Sequence, residues 1–276
     1  MHFKHLLLGT LTLIATTAFA AEHQRLNVEP GAHHPVLSPD GNTLLYSTVD
    51  HTGLKALNMT SGQVSVIDDG ASAGFRPIFT IDGSQVIYRT ASTIDGLLYR
   101  DVRSYNLRSR QSARIAEPSR DTTTPVALSG APSFAVSKFS KIDVCINGSH
   151  SLISPVDDAH TYLWASLSPD GSALAFCEPF NGVFVSNPDG SNLRQLLPKG
   201  DYITWAGDNT IIAVVSHDDG YVILDSKLVK VNTATGIVTD LTDDSFIVSE
   251  ATAAANGIVV FSDLDGNMFT LNINAQ

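Results

Sequence analysis

Cysteine is nearly absent: two residues in 276, too few for a disulfide scaffold or a cysteine-based zinc site. Cations are scarce as well. Lys+Arg number 17 against 28 Asp+Glu, a formal net charge of −11, so the clustered positive charge that binds nucleic acid or an anionic membrane is lacking. Charged residues make up only 16%, and the mean hydropathy of +0.08 excludes a disordered or coiled-coil chain. After the first twenty residues no apolar run approaches membrane length. Missing too are a Gly-x-Ser-x-Gly elbow, an HExxH pair, a phosphate-cradling glycine loop and any helical stretch able to carry a hydrolase domain. What is present is glycine (20), proline (12) and many Thr, Val and Ile, an all-β composition in a chain long enough to bury a substantial core.

Residues 1–20 form an export signal. Lys4 supplies the positive start, Leu6 to Ile14 the apolar stretch, and Ala18-Phe19-Ala20 the small-x-small cleavage site. Cleavage is expected after Ala20, leaving 21–276 as a periplasmic chain with no membrane span.

The remainder repeats one unit. Pro35-Val36-Leu37-Ser38-Pro39-Asp40-Gly41 runs into the strand Leu44-Leu45-Tyr46, and Pro77 to Gly83 runs into Val86-Ile87-Tyr88. A third copy, Leu167-Ser168-Pro169-Asp170-Gly171, leads to Leu174-Ala175-Phe176, and weaker copies begin at Pro125, Trp205 and Ala253. Glycines 41, 83, 130 and 171 lie 42, 47 and 41 residues apart. A period near forty built of strand, turn and strand marks a propeller blade. Each copy has a second hairpin, such as Leu57 to Val64 and Val231 to Val238, so a blade is a four-stranded meander. Six copies predict a six-bladed β-propeller. The last copy has only three strands, at Val248–Ala254, Ile258–Phe261 and Met268–Ile273, while Gln24 to Val28 lies unpaired ahead of the first. The N-terminal strand is therefore expected to complete the sixth blade and close the ring.

The Ser-Pro-Asp-Gly-x-x-Leu-x-Tyr/Phe repeat resembles that of the TolB-type, WD-like propellers, over essentially all of residues 21–276. The resemblance implies an exported bacterial propeller that binds partners at one end of its channel. The separate α/β domain that precedes the TolB propeller has no place here, with about a dozen residues between cleavage site and first blade. The expectation carried over is the fold and the habit of binding, not the named partner.

The innermost strand of each blade lines the channel, and its first residues crowd the mouth. Alignment on the turns puts His34, Arg76, Thr124, Trp164, Asp201 and Ser249 at equivalent positions, with His33 and Glu250 beside them. His33, His34, Arg76, Trp164, Asp201 and Glu250 are the expected ligand- or partner-binding set. Each has a plainer role open to it: packing for Trp164, and for Arg76 a salt bridge to Asp201 or Glu250. Long loops at 89–103 and from His217, and the pairs Asp68-Asp69, Asp157-Asp158 and Asp243-Asp244, reach the same face. The pairs, which make the rim acidic, serve turn chemistry and solvation or bind a cation or a partner. Cys145, on the third strand of blade three, and Cys177, on the second of blade four, are either bridged or two buried thiols.

The expected function is a non-catalytic binding or scaffold module for a protein partner or small ligand of the cell envelope, monomeric and without a cofactor. The alternative is a metal-dependent carbohydrate lyase or hydrolase. It would join His33, His34, Asp201 and Glu250 around one ion, since oligogalacturonate lyases are propellers with a histidine-rich metal centre.

Overall fold

Turn chemistry sets the repeat. In the first blade Ser38 donates its hydroxyl to Asp40 (2.5 Å), Asp40 accepts the Asn42 amide (3.0 Å), and Gly41 takes φ 72°. Thr80, Asp82 and Gly83 repeat the arrangement, as do Ser168, Asp170 and Gly171. The hydroxyl before each aspartate is the main reason its carboxyl stays below the ordinary range.

The computed structural model describes residues 22–120, 129–157, 159–243 and 247–274. The first sheet is β2 (His33–Leu37), β3 (Thr43–Ser47), β4 (Leu54–Asn58) and β5 (Val64–Asp68), and the second is β6 (Ile78–Phe79), β7 (Gln85–Ile94), β8 (Leu97–Asn106) and β9 (Gln111–Ser119). The third is β10 (Phe134–Lys138), β11 (Lys141–Ile146) and β12 (Ser149–Ile153), three strands among the described residues. Next come β13 (Leu163–Leu167), β14 (Leu174–Glu178), β15 (Gly182–Ser186) and β16 (Arg194–Leu197), then β17 (Asp201–Trp205), β18 (Thr210–Asp218), β19 (Ile223–Asn232) and β20 (Val238–Asp240). In the sixth sheet β21 (Val248–Ala253), β22 (Ile258–Asp263) and β23 (Met268–Asn272) are joined by β1 (Gln24–Arg25). Residues of β2, β6, β10, β13, β17 and β21 face one central cavity. The chain is a six-bladed β-propeller, and no helix occurs among the described residues.

The core is divided into seams between neighbouring sheets. Leu45 and Leu54 of the first sheet pack with Val86 and Tyr88 of the second, and Leu228 of the fifth with Val259 and Phe261 of the sixth. The seam between the last and first sheets joins Val260 and Met268 to Leu44 and Tyr46, with Leu26 and Val28 packed on it. The expected closure is present: Gln24 and Arg25 pair with Thr270 and Phe269, and the Leu26 amide donates to the Met268 carbonyl (2.8 Å).

Three details depart from the sequence reading. The third blade's inner strand is β10, since Val136 and Ser137 line the cavity, not the copy beginning at Pro125. Residues 121–128, including Thr124, lie outside the described residues, as do residues 1–20, expected to be an export signal, Asp158 and Asp244. Cys145 therefore sits on that blade's second strand, β11, and Cys145 and Cys177 are separate buried thiols. The stretches read as long loops are extensions of the β7–β8 and β18–β19 hairpins. Asp95 and Gly96 both adopt positive φ (51° and 76°) at the β7–β8 turn, which fits a twisted two-residue connection.

Between β15 and β16 the backbones approach closely at Gly182 (φ 104°), where a Cβ would lie 2.1 Å from the Leu197 carbonyl oxygen. Gly182→Ala is expected to cost about 3 kcal/mol or more, combining backbone strain with overpacking. Denaturant unfolding measures it, and a loss under about 1 kcal/mol would show that the approach relaxes freely.

Candidate functional site

Three inner strands carry the same distortion. The pairing register shifts between His33 and Val36, Leu163 and Ser166, and Asp201 and Thr204, and the residue inside each bulge has positive φ: His34 at 58°, Trp164 at 50° and Tyr202 at 51°. Arg76, just ahead of β6, matches them at 50°. Left-handed φ at a non-glycine residue costs on the order of 1–3 kcal/mol, and bulges re-aim side chains. Here all four line the central cavity, of about 620 Å³. The residue after each of them, Pro35, Pro77, Ala165 and Ile203, also lines the wall, as does Ala251 after Glu250.

On one side of the mouth lies an imidazole–carboxylate pair. Glu250, only 3% exposed, accepts the His34 backbone amide (2.8 Å) and faces His34 Nδ1 at 2.8 Å and His33 Nδ1 at 3.6 Å. Burial opposes its charge, but the hydrogen bonds and charge of His34 outweigh it and hold the carboxyl below its ordinary value. His34 is desolvated too, yet Glu250 pulls it above the ordinary imidazole value. Its Nε2 meets the Val49 carbonyl (3.1 Å), and its ring stacks on His51 at 3.9 Å. Burial, then the charge on His34, pushes His51 down, so the two stacked rings shift in opposite directions. His51 meets Phe75 edge-on at 4.9 Å, and the Arg76 guanidinium lies 5.8 Å from the Phe75 centroid. Across the cavity Trp164 and Tyr202 form an aromatic wall, with ring centroids 5.3 Å apart.

His34, Arg76, Trp164 and Glu250 of the expected set thus line one cavity, and His33 stands behind Glu250. Asp201 does not line it. The bulge residue of the fifth blade is Tyr202, because Asp208, not Gly207, occupies the turn position of Asp40 and Asp170. Asp201 is half-buried, and desolvation raises its pKa against the pull of Lys199. Arg76 pairs with neither Asp201 nor Glu250. The four-donor metal arrangement is therefore not assembled. Among the described residues no group of three or more His, Cys, Asp or Glu side chains is placed to hold a metal. Of the acidic pairs, Asp68 and Asp157 serve the frame: Asp68 accepts the Gly70 amide and the Tyr88 hydroxyl, and Asp157 accepts the Ala159 amide. Sequence reasoning missed Tyr202, His51 and Phe75. Only the position of Asp208 could have located Tyr202.

No protein-family model matches the sequence, and no curated protein matches it. Solved structures do match in shape. The putative TolB from Agrobacterium tumefaciens aligns over 86% of this chain and 87% of its own at 15% identity, with a TM-score of 0.54. The Cps50 (Swd1) β-propeller domain from Myceliophteria thermophila aligns over 91% and 100% at 8% identity, with a TM-score of 0.55. An oligogalacturonate lyase from Vibrio parahaemolyticus, 12% identical over 88% and 78%, reaches only 0.47, too loose to carry an argument. At these identities the likeness establishes the fold alone, a TolB-like β-propeller.

Proposed function

We infer that this chain is an exported, non-catalytic binding module that takes a protein segment or a small ligand at the channel mouth. The observation that carries the reading is the set of four residues held at positive φ, His34, Arg76, Trp164 and Tyr202, all lining one cavity. Backbone strain repeated at matching positions of separate blades fits preorganisation for a guest. The volume falls among those of ligand pockets, and an aromatic wall facing polar groups is their usual lining. Export rests on the Lys4 to Ala20 signal; no helix among the described residues is long and apolar enough to cross a membrane.

Trp164 is also the reporter, because the other tryptophan, Trp205, is buried with its indole donating to the Ser166 carbonyl. Peptides and small ligands titrated against tryptophan fluorescence are expected to yield saturable binders. Tyr202→Ala should weaken them at least about tenfold, about 1.4 kcal/mol. Binders indifferent to Tyr202→Ala would displace the site from the mouth, and turnover of any substrate by the purified protein would overturn the non-catalytic reading.

A further inference from the structure

The acidic chain places three arginines together beside the mouth without matching carboxylates. Arg89 lies on β7 and Arg100 on β8, where Arg89 faces Val102 and Ala91 faces Arg100, so both arginines point to the same side of the ribbon. With Ser72 and Phe75 they enclose a hollow of about 270 Å³. Arg89 is 8% exposed, its guanidinium stands 4.8 Å from the Phe75 centroid, and its Nε has no hydrogen-bond partner. Arg76 flanks the same ring at 5.8 Å. Asp101, the nearest acid along the ribbon, points to the other side, where Thr90, Arg103 (3.3 Å) and Arg114 (2.8 Å) satisfy it. Among the described residues no carboxylate forms an ion pair with Arg76, Arg89 or Arg100.

A guanidinium buried without a counter-charge is costly, and arginine does not shed its proton to escape that cost. Its fork of donors fits a planar or tetrahedral oxyanion. We propose that this hollow is an oxyanion site, taking a carboxylate or phosphate group between Arg89 and Arg100. The hollow shares Phe75 with the central cavity, so the group would anchor one end of a guest whose body lies in the channel mouth. That last clause rests on the binding reading above; the anion site itself does not.

Calorimetry with inorganic phosphate and, separately, acetate at low ionic strength tests it. The expected result is saturable one-to-one binding of at least one of them, with the preferred anion naming the class. Binding should weaken at least tenfold in Arg89→Met and in Arg100→Gln, and stay unchanged in Arg108→Gln, which removes the same charge from an exposed turn. Arg100 is only half-buried, so its variant decides the matter should Arg89→Met fail to fold. Absence of saturable binding to either anion, or affinity surviving in Arg100→Gln, overturns the proposal. If tryptophan-detected guests still bind the wild type, the anion site alone has failed.

Discussion

A chain beginning at Glu29 is expected to melt on the order of 10 °C below one beginning at Ala21, and to associate as its concentration rises. The shortened form lacks the two pairs of β1 with β23, the Leu26–Met268 hydrogen bond, and the contacts of Leu26 and Val28 on the seam between the last and first sheets. Half-burial of two aliphatic side chains and a few net hydrogen bonds, less the ordering entropy regained, come to about 3 kcal/mol. For a chain of this size that corresponds to roughly 10 °C. Association follows because β23 becomes an open edge with unpaired backbone groups. Calorimetry and light scattering on the two forms measure both effects. Equal melting and a monodisperse shortened form would mean that the strand decorates the ring without closing it.

Glu250→Gln should destabilise the protein by about 2 kcal/mol near pH 6, with a pH dependence that identifies the cause. Glutamine keeps the shape and can still accept the His34 amide, but it loses the charge facing His34 Nδ1. His34 has its pKa raised above 6.5 in the fold, so its contribution is complete below that value and fades as pH rises through the folded value. Glu250 has its pKa lowered below 4.5, so its contribution is complete above that value and fades as pH falls through the folded value. The wild-type advantage is therefore greatest between about pH 4.5 and 6.5 and shrinks on either side. Melting curves of both proteins across pH 4 to 9 test this. A constant difference would assign the loss to packing.

Much of the architecture was legible because its signals are local. Ser38-Pro39-Asp40-Gly41 makes its turn from its own side chains, so the copies at Asp82 and Asp170 could be read in the same way. The missing strand of the last copy forced the closure. The third blade was misread because its inner turn has no Asp-Gly: Phe139 takes the positive φ (54°) between β10 and β11, while Ser129-Gly130 imitates the motif elsewhere. One residue of misalignment gave Asp201 in place of Tyr202, and in a strand one residue exchanges channel for seam. Phe75, His51 and Arg89 were hidden for another reason. They meet only because a connection, a hairpin turn and a ribbon from two blades converge, and no spacing in the sequence encodes that.

The latch also fixes an order of events. Arg25 and its hydrogen-bond partner Asn267 stand 242 positions apart, so β1 has nothing to pair with until the final hairpin is finished. The earliest-made strand is thus the last to dock. For the whole of its biogenesis the unfinished wheel keeps both rims of its gap open to chaperone and protease alike.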